Sequence, residues 1–171
     1  MSAKHAVNSD SFRVSTPAAC EIRMTRLFSA PRELVFEVMN KPEHVSKWWG
    51  QLRDGEHTMP VCEIDFRVGG KWRFVGKGPR GQYAFHGVYR EIEAPSRVVF
   101  TEIFDPFPDA ESVVTAELVR EGELTRLTVV VEYPSQAVRD TVIGTGMAQG
   151  AAASYDALEH VLESLLTARA S

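Results

Sequence analysis

Three side chains stand where their chemistry could act on a bound molecule: Glu102, Arg73 and His86. Glu102 lies between Phe100 and Phe104, in a run from Val98 to Phe104 that is largely apolar. The two-residue period of a strand puts Phe100, Glu102 and Phe104 on one face of a sheet. If that face points inward, the carboxyl loses its water. Burial without a cation raises a carboxyl pKa, whereas an arginine neighbour lowers it. Arg73, flanked by Trp72 and Phe74, and His86, in Phe85-His86-Gly87, are the cross-strand partners to test. Such a carboxyl can orient the polar end of an apolar ligand or exchange a proton with it. The plainer alternatives are a structural buried pair, or a register in which Glu102 faces water. His86 reads equally as a hydrogen-bonded structural residue, with its charge open to change near neutral pH.

Around these residues is a set of rings: Phe66, Trp72, Phe74, Phe85, Tyr89, Phe100 and Phe104, preceded by Trp48-Trp49-Gly50. Rings of this kind fill cores, which is the simplest reading of any one of them. Opposite them the C-terminal segment offers poor filler: Gly146, Ala148, Gly150, Ala151, Ala152, Ala153 and Ser154. Bulky walls under a small-residue helix leave volume, and apolar clefts with a few polar groups are the usual ligand sites. The expected pocket is entered at Trp48 and Trp49. It is roofed by Met147 to Leu158, with Met147, Ala151 and Tyr155 on the helix side. Gly146 and Gly150 are expected to pack closely on the sheet.

The elements that must position these residues follow from period and punctuation. Residues 1–18 are polar and serine-rich and read as a flexible arm ahead of a single domain over 19–171. Cys20 to Phe28 alternates as a half-buried strand. Pro31 opens a helix whose apolar face is Leu34, Val35, Val38 and Met39, and a second short helix runs from Pro42 to Trp48. Six strand-like runs follow, at about 60–68, 71–77, 82–93, 97–105, 111–120 and 124–133, separated by glycine- and proline-containing turns. Short connections between consecutive strands imply antiparallel pairing. Beyond Pro134 the period becomes helical, with Ser135 as the N-cap. A break is expected near Gly144, and Met147, Ala151, Ser154, Leu158, Val161 and Leu165 lie along one face. The fold class is α+β: a helix-grip arrangement, β-α-α-β6-α, in which a curved antiparallel sheet wraps a long C-terminal helix.

Several stretches resemble a known family. Arg26-Leu27-Phe28-Ser29-Ala30-Pro31, Val35-Phe36, Pro42-Glu43-His44 and Trp48-Trp49-Gly50 are similar to the opening of the START-like (SRPBCC) superfamily. The branch resembled is that of the C-terminal domain of the activator of the Hsp90 ATPase. Gly69-Gly70-Lys71-Trp72-Arg73-Phe74, His86 to Ile92, Arg97 to Thr101, Thr145 to Gly150 and Ser154 to Leu158 continue the likeness. The resemblance implies the helix-grip fold and a cavity that holds lipids, hormones, polyketides or aromatic compounds. In some members it hosts cyclisation or hydrolysis. It also implies a third role, as a co-chaperone-like interaction domain.

Composition narrows the classes. Over 171 residues the net charge is −4, without the basic stripe that phosphate contacts require, so nucleic acid is not an expected partner. Cys20 and Cys62 lie outside any CxxC pair or histidine cluster and read as small buried hydrophobes, with a disulfide as the alternative; no metal and no cofactor are expected. No apolar run reaches the roughly 20 residues of a membrane span, and a cytoplasmic setting is expected. A homodimer through an exposed sheet edge is compatible with the pattern. The function that best fits is binding of a small hydrophobic or aromatic molecule. A cyclase- or hydrolase-type enzyme using the same cavity is the alternative.

Overall fold

The computed structural model describes residues 8–50 and 56–170. Eight strands form one antiparallel sheet: β1 (Arg13–Ser15), β2 (Glu21–Phe28), β3 (Thr58–Ile64), β4 (Lys71–Gly78), β5 (Gly81–Glu93), β6 (Arg97–Phe104), β7 (Ser112–Glu121) and β8 (Leu124–Glu132). Their order across the sheet is β1-β2-β8-β7-β6-β5-β4-β3. Two short helices, α1 (Arg32–Asn40) and α2 (Pro42–Trp48), connect β2 to β3; α3 (Gln136–Gly144) and the long α4 (Met147–Ala170) follow β8. The six strands after α2, and the helical period after Pro134, match the sequence reading.

Alternation decides which residues face α4. The register carries one apolar row across five strands: Ile22 opposite Val131, Val131 opposite Val114, Val114 opposite Phe100, and Phe100 opposite Tyr89. The intervening positions point outward, and Glu63 of β3 with Asp65 and Arg67 just after it is exposed there. α4 buries Leu158 and Leu162 completely against this face, beside Phe28 and Leu127. Each such side chain contributes about 1.5–3 kcal/mol by leaving water.

Two glycines have structural reasons. Gly146 adopts φ +82°, the left-handed conformation that separates α3 from α4 where the break was expected. At Gly87 a Cβ would lie 1.8 Å from the Thr101 carbonyl oxygen and 2.6 Å from the Trp72 indole nitrogen. That indole N–H donates to the same carbonyl at 3.1 Å, which fixes Trp72 against β6. Ser135 caps α3 as read, its hydroxyl accepting from the Val138 N–H at 3.2 Å.

The flexible-arm reading fails for residues 8–18; residues 1–7 lie outside the described residues. β1 pairs with β2, with Val14 opposite Met24. Phe12 lies 6.0 Å from the Tyr155 ring. Asn8 is buried, its amide donating to Ser29 Oγ and to Glu159 Oε1, both at 2.7 Å. Polarity that reads as solvation serves instead to satisfy a buried carboxylate, a contact that short-range pattern does not reveal.

Candidate functional site

Two polar clusters occupy the concave face of the sheet. The first is centred on Arg26, which takes the inward position between Met24 and Phe28 and is fully buried. Its Nε donates to the Asn8 carbonyl at 2.7 Å, Nη1 to Asp156 Oδ1 at 3.0 Å and Nη2 to Glu159 Oε1 at 3.3 Å. The guanidinium carbon also sits 5.0 Å from the centre of the Phe28 ring. The second oxygen of Glu159 accepts from the Ser29 backbone N–H at 3.1 Å. Burial pulls the Arg26 pKa down, and Asp156 and Glu159 oppose that pull. The result is a partnered ion cluster that clasps α4 to β2.

The second cluster is centred on Glu102. Alternation along β6 points its side chain to the concave face with Phe100 and Phe104, and the register sets Ser112 of β7 opposite it. The Ser112 hydroxyl donates to the Glu102 backbone carbonyl at 3.2 Å, leaving the carboxyl out of that bond. Among the described residues no side chain forms a hydrogen bond or ion pair with the Glu102 carboxyl. Burial alone pushes its pKa up to about 7. Two phenols lie within electrostatic reach of it: Tyr133, just past β8, and Tyr155 on α4. Burial raises both phenol pKa values, and the Glu102 carboxylate raises them further; at Tyr155, Arg26 acts in the opposite direction.

Rings wall this second cluster. Phe85 stacks on Phe104 at 4.8 Å between centroids, and Trp49 meets Phe85 edge-on at 5.3 Å and Phe74 at 5.0 Å. Phe104 in turn lies 5.9 Å from Phe107, which is 63% exposed. Phe85, Phe100, Glu102, Phe104 and Tyr133 are only half-buried although they belong to the concave face. On the helix, Met147 and Ala151 precede Tyr155 at four-residue steps and are half-buried too. The close packing expected at Gly150 is not found: a Cβ there would meet nothing within 4 Å.

Of the residues singled out in the sequence, Trp49, Phe85, Phe100, Glu102, Phe104 and Tyr155 come together at this end of the sheet, and Met147 and Ala151 share the Tyr155 helix face. Trp48 does not line a mouth. It is 5% exposed, donates its indole N–H to the Val38 carbonyl at 3.0 Å and stacks on Tyr155. Trp72 and Phe74 are core residues as well. Phe66 packs edge-on against Phe36 at 5.9 Å and Tyr89 at 5.2 Å, away from the carboxyl.

Arg73 and His86 are corrected outright. They sit opposite each other in the β4–β5 register on the outer face, because Trp72, Phe74, Phe85 and Gly87 take the inward positions. Both contact Asp105, Arg73 Nη2 at 2.9 Å and His86 Nδ1 at 2.7 Å. Hydrogen bonds from Arg73 and His86 hold the Asp105 carboxyl below its ordinary range.

Tyr133 was missed. The inward series Thr125, Leu127, Val129 and Val131 reaches it in one more step, and its N–H extends the strand by donating to the Cys20 carbonyl at 2.8 Å. The Arg26 cluster was missed too, although an arginine at an inward strand position was a visible signal. Cys20 and Cys62 are free thiols. Burial pushes Cys62 up to about 11, which makes it a poor nucleophile. Among the described residues no group of three histidine, cysteine or acidic side chains is placed to hold a metal ion. No helix among the described residues is long and apolar enough to cross a membrane.

An open curved antiparallel sheet around a long C-terminal helix defines a helix-grip protein of the START-like class. Within that class the chain belongs to the family described as activator of Hsp90 ATPase homolog 1-like protein, whose model matches residues 29–163. Its fold is shared by a crystal structure of a protein from Rhodobacter sphaeroides, 25% identical, with a TM-score of 0.80 over 90% of this chain and 99% of that one. Protein Ms6760 from Mycobacterium smegmatis is 23% identical, also with a TM-score of 0.80, over 90% and 98% of the two chains. An Hsp90 activator from Plasmodium falciparum is similar in fold at a TM-score of 0.52, with 22% identity over 66% of this chain and 72% of that one. No curated protein matches the chain in sequence.

Proposed function

We propose that this protein binds a small hydrophobic or aromatic molecule on the concave face, between β5–β8 and the first turns of α4. One observation carries the reading. At the Glu102 end, large rings are left half-buried around a carboxyl that has no partner among the described residues, next to a core in which Leu158, Leu162, Phe28 and Leu127 are fully buried. A carboxyl set among rings and only partly hydrated is costly to ionise, and groups perturbed in this way concentrate at functional sites. Trp49, Phe85, Phe100 and Phe104 supply walls, Met147 and Ala151 the roof, and Glu102, Tyr133 and Tyr155 the polar end. The two free thiols fit a reducing compartment such as the cytoplasm.

A second reading has its own support. A carboxyl with a pKa of about 7 is matched to proton transfer at neutral pH, and two phenols lie close by. A cyclase or hydrolase would use Glu102 as its acid–base group on the same ligand.

Native mass spectrometry of freshly purified protein, followed by a thermal-shift screen of hydrophobic compounds, tests the binding reading. A retained small molecule, or a compound that raises the melting temperature of wild type but acts differently on Glu102→Gln, is the expected result. No retained molecule and no stabilising compound would contradict it.

A further inference from the structure

We infer, resting on the binding function proposed above, that the site selects a hydrophobic molecule carrying a protonated amine, with the Glu102 carboxylate as its counter-ion and the Tyr133 and Tyr155 hydroxyls beside it. The argument begins with charge. Arg26 is the inward-facing cation of β2, and it is already held by Asp156 and Glu159. Glu102 adds a further acid with no arginine, lysine or histidine paired to it among the described residues. Arg73 and His86, which would have offered positive charge to an anionic head group, face the other side of the sheet and are bound to Asp105. A ligand carboxylate would therefore meet like charge in a poorly solvated space, which costs far more than in water. An ammonium meets the opposite.

The walls agree with the charge. Glu102 lies between Phe100 and Phe104 on its own strand, and Phe104 stacks on Phe85. Aromatic faces attract cations, more strongly when water is excluded. Phe107, largely exposed, lies 5.9 Å from Phe104, the ring next to Glu102 on the same strand face. Tyr133 and Tyr155 can donate to the carboxylate or accept from an ammonium, and neither ionises near neutral pH because burial raises both.

The proposal also sets a pH dependence. A bound ammonium favours the ionised form of Glu102, so the site must lose the Glu102 proton to bind. The groups facing Glu102 are Ser112 from β7, Tyr133 after β8 and Tyr155 from α4, with Arg26 beyond Tyr155; none of these titrates between pH 5.5 and 8. Amine affinity should therefore rise with pH across that window, and the affinity of an uncharged analogue should stay flat.

Isothermal titration of the 171-residue protein with 2-naphthylmethylamine, 2-naphthalenemethanol and 2-naphthoic acid tests this. The three share a ring system and differ in charge. Wild type at pH 8 should bind the amine about tenfold tighter than the alcohol, with the acid weakest. At pH 5.5 the amine should lose about tenfold and the alcohol should be unchanged. Glu102→Gln, with its fold checked by circular dichroism, should abolish the preference for the amine while retaining the alcohol. If the alcohol or the acid binds as tightly as the amine to wild type, the charge assignment is overturned and the binding function stands. If none of the three binds, both fall.

Discussion

The two polar clusters on the concave face lie on the same sheet and under the same helix, yet they are built on opposite principles. At the Arg26 end every charged group has partners: the guanidinium takes a carbonyl and two carboxylates, and Glu159 takes Asn8, Ser29 and Arg26. At the Glu102 end the carboxyl has none among the described residues, and the rings around it remain half-buried. Tyr155 stands between them, touching Phe28 and Trp48 and feeling both Arg26 and Glu102. The contrast separates a clasp from a site. A satisfied buried network fixes geometry, whereas an unsatisfied group in an accessible hollow is what a ligand can complete.

The largest expected effect breaks the clasp. Arg26→Ala removes the buried guanidinium that Asp156 and Glu159 hold and should cost about 3–5 kcal/mol. For a domain of this size the melting temperature should fall by roughly 10 °C or more. A variant that melts within 2 °C of wild type (~0.5 kcal/mol on the same scale) would show that the cluster holds little.

The second effect has the opposite sign. Glu102 titrates at about 7 in the folded protein, well above the roughly 4.3 of an unfolded chain. As pH rises between those values the unfolded state releases its proton first, so stability declines across the window and levels off above it. Glu102→Gln removes the penalty. It should stabilise the protein at pH 8 by on the order of 2 kcal/mol and flatten the slope, as followed by urea denaturation at several pH values. A slope identical to that of wild type would remove Glu102 as its source.

Smaller effects sharpen the boundary of the site. Gly150 faces open space within α4, so Gly150→Ala should stabilise by up to about 1 kcal/mol through helix propensity. A loss of stability would mean that the sheet approaches there after all. Arg73→Gln removes an outer-face ion pair with Asp105 and should shift stability by less than about 1 kcal/mol, with ligand affinity untouched. A changed affinity would return Arg73 to the site.

Much of this was legible in the sequence. Period alone located the six strands after α2 and put Phe100, Glu102 and Phe104 on one face; which side that face takes stays open in the sequence and comes from the register. Ser135 and the glycines near 144–146 marked where the last helices begin and break. Alternation also held the information that Arg73 points outward, since Trp72 and Phe74 on either side point in; nearness to rings along the chain is not nearness in space. The Arg26 clasp was hidden for a different reason. It joins residues separated by 130 and 133 positions, and its contacts carry no periodic signature. Asn8 reads as part of a solvated arm because a lone amide looks the same whether it meets water or a buried carboxylate.

The central claim is that the Glu102 carboxyl, half-buried among rings, has no partner among the described residues. A carbon-13 NMR titration of glutamate side-chain carboxyls, with the Glu102 signal assigned by its absence in Glu102→Gln, tests it most directly. The ligand-free protein should show that carboxyl titrating at about pH 7. A midpoint near the ordinary glutamate value of roughly 4.3, or below it, would mean that water or a cation already satisfies the group, and the account of the site would be wrong.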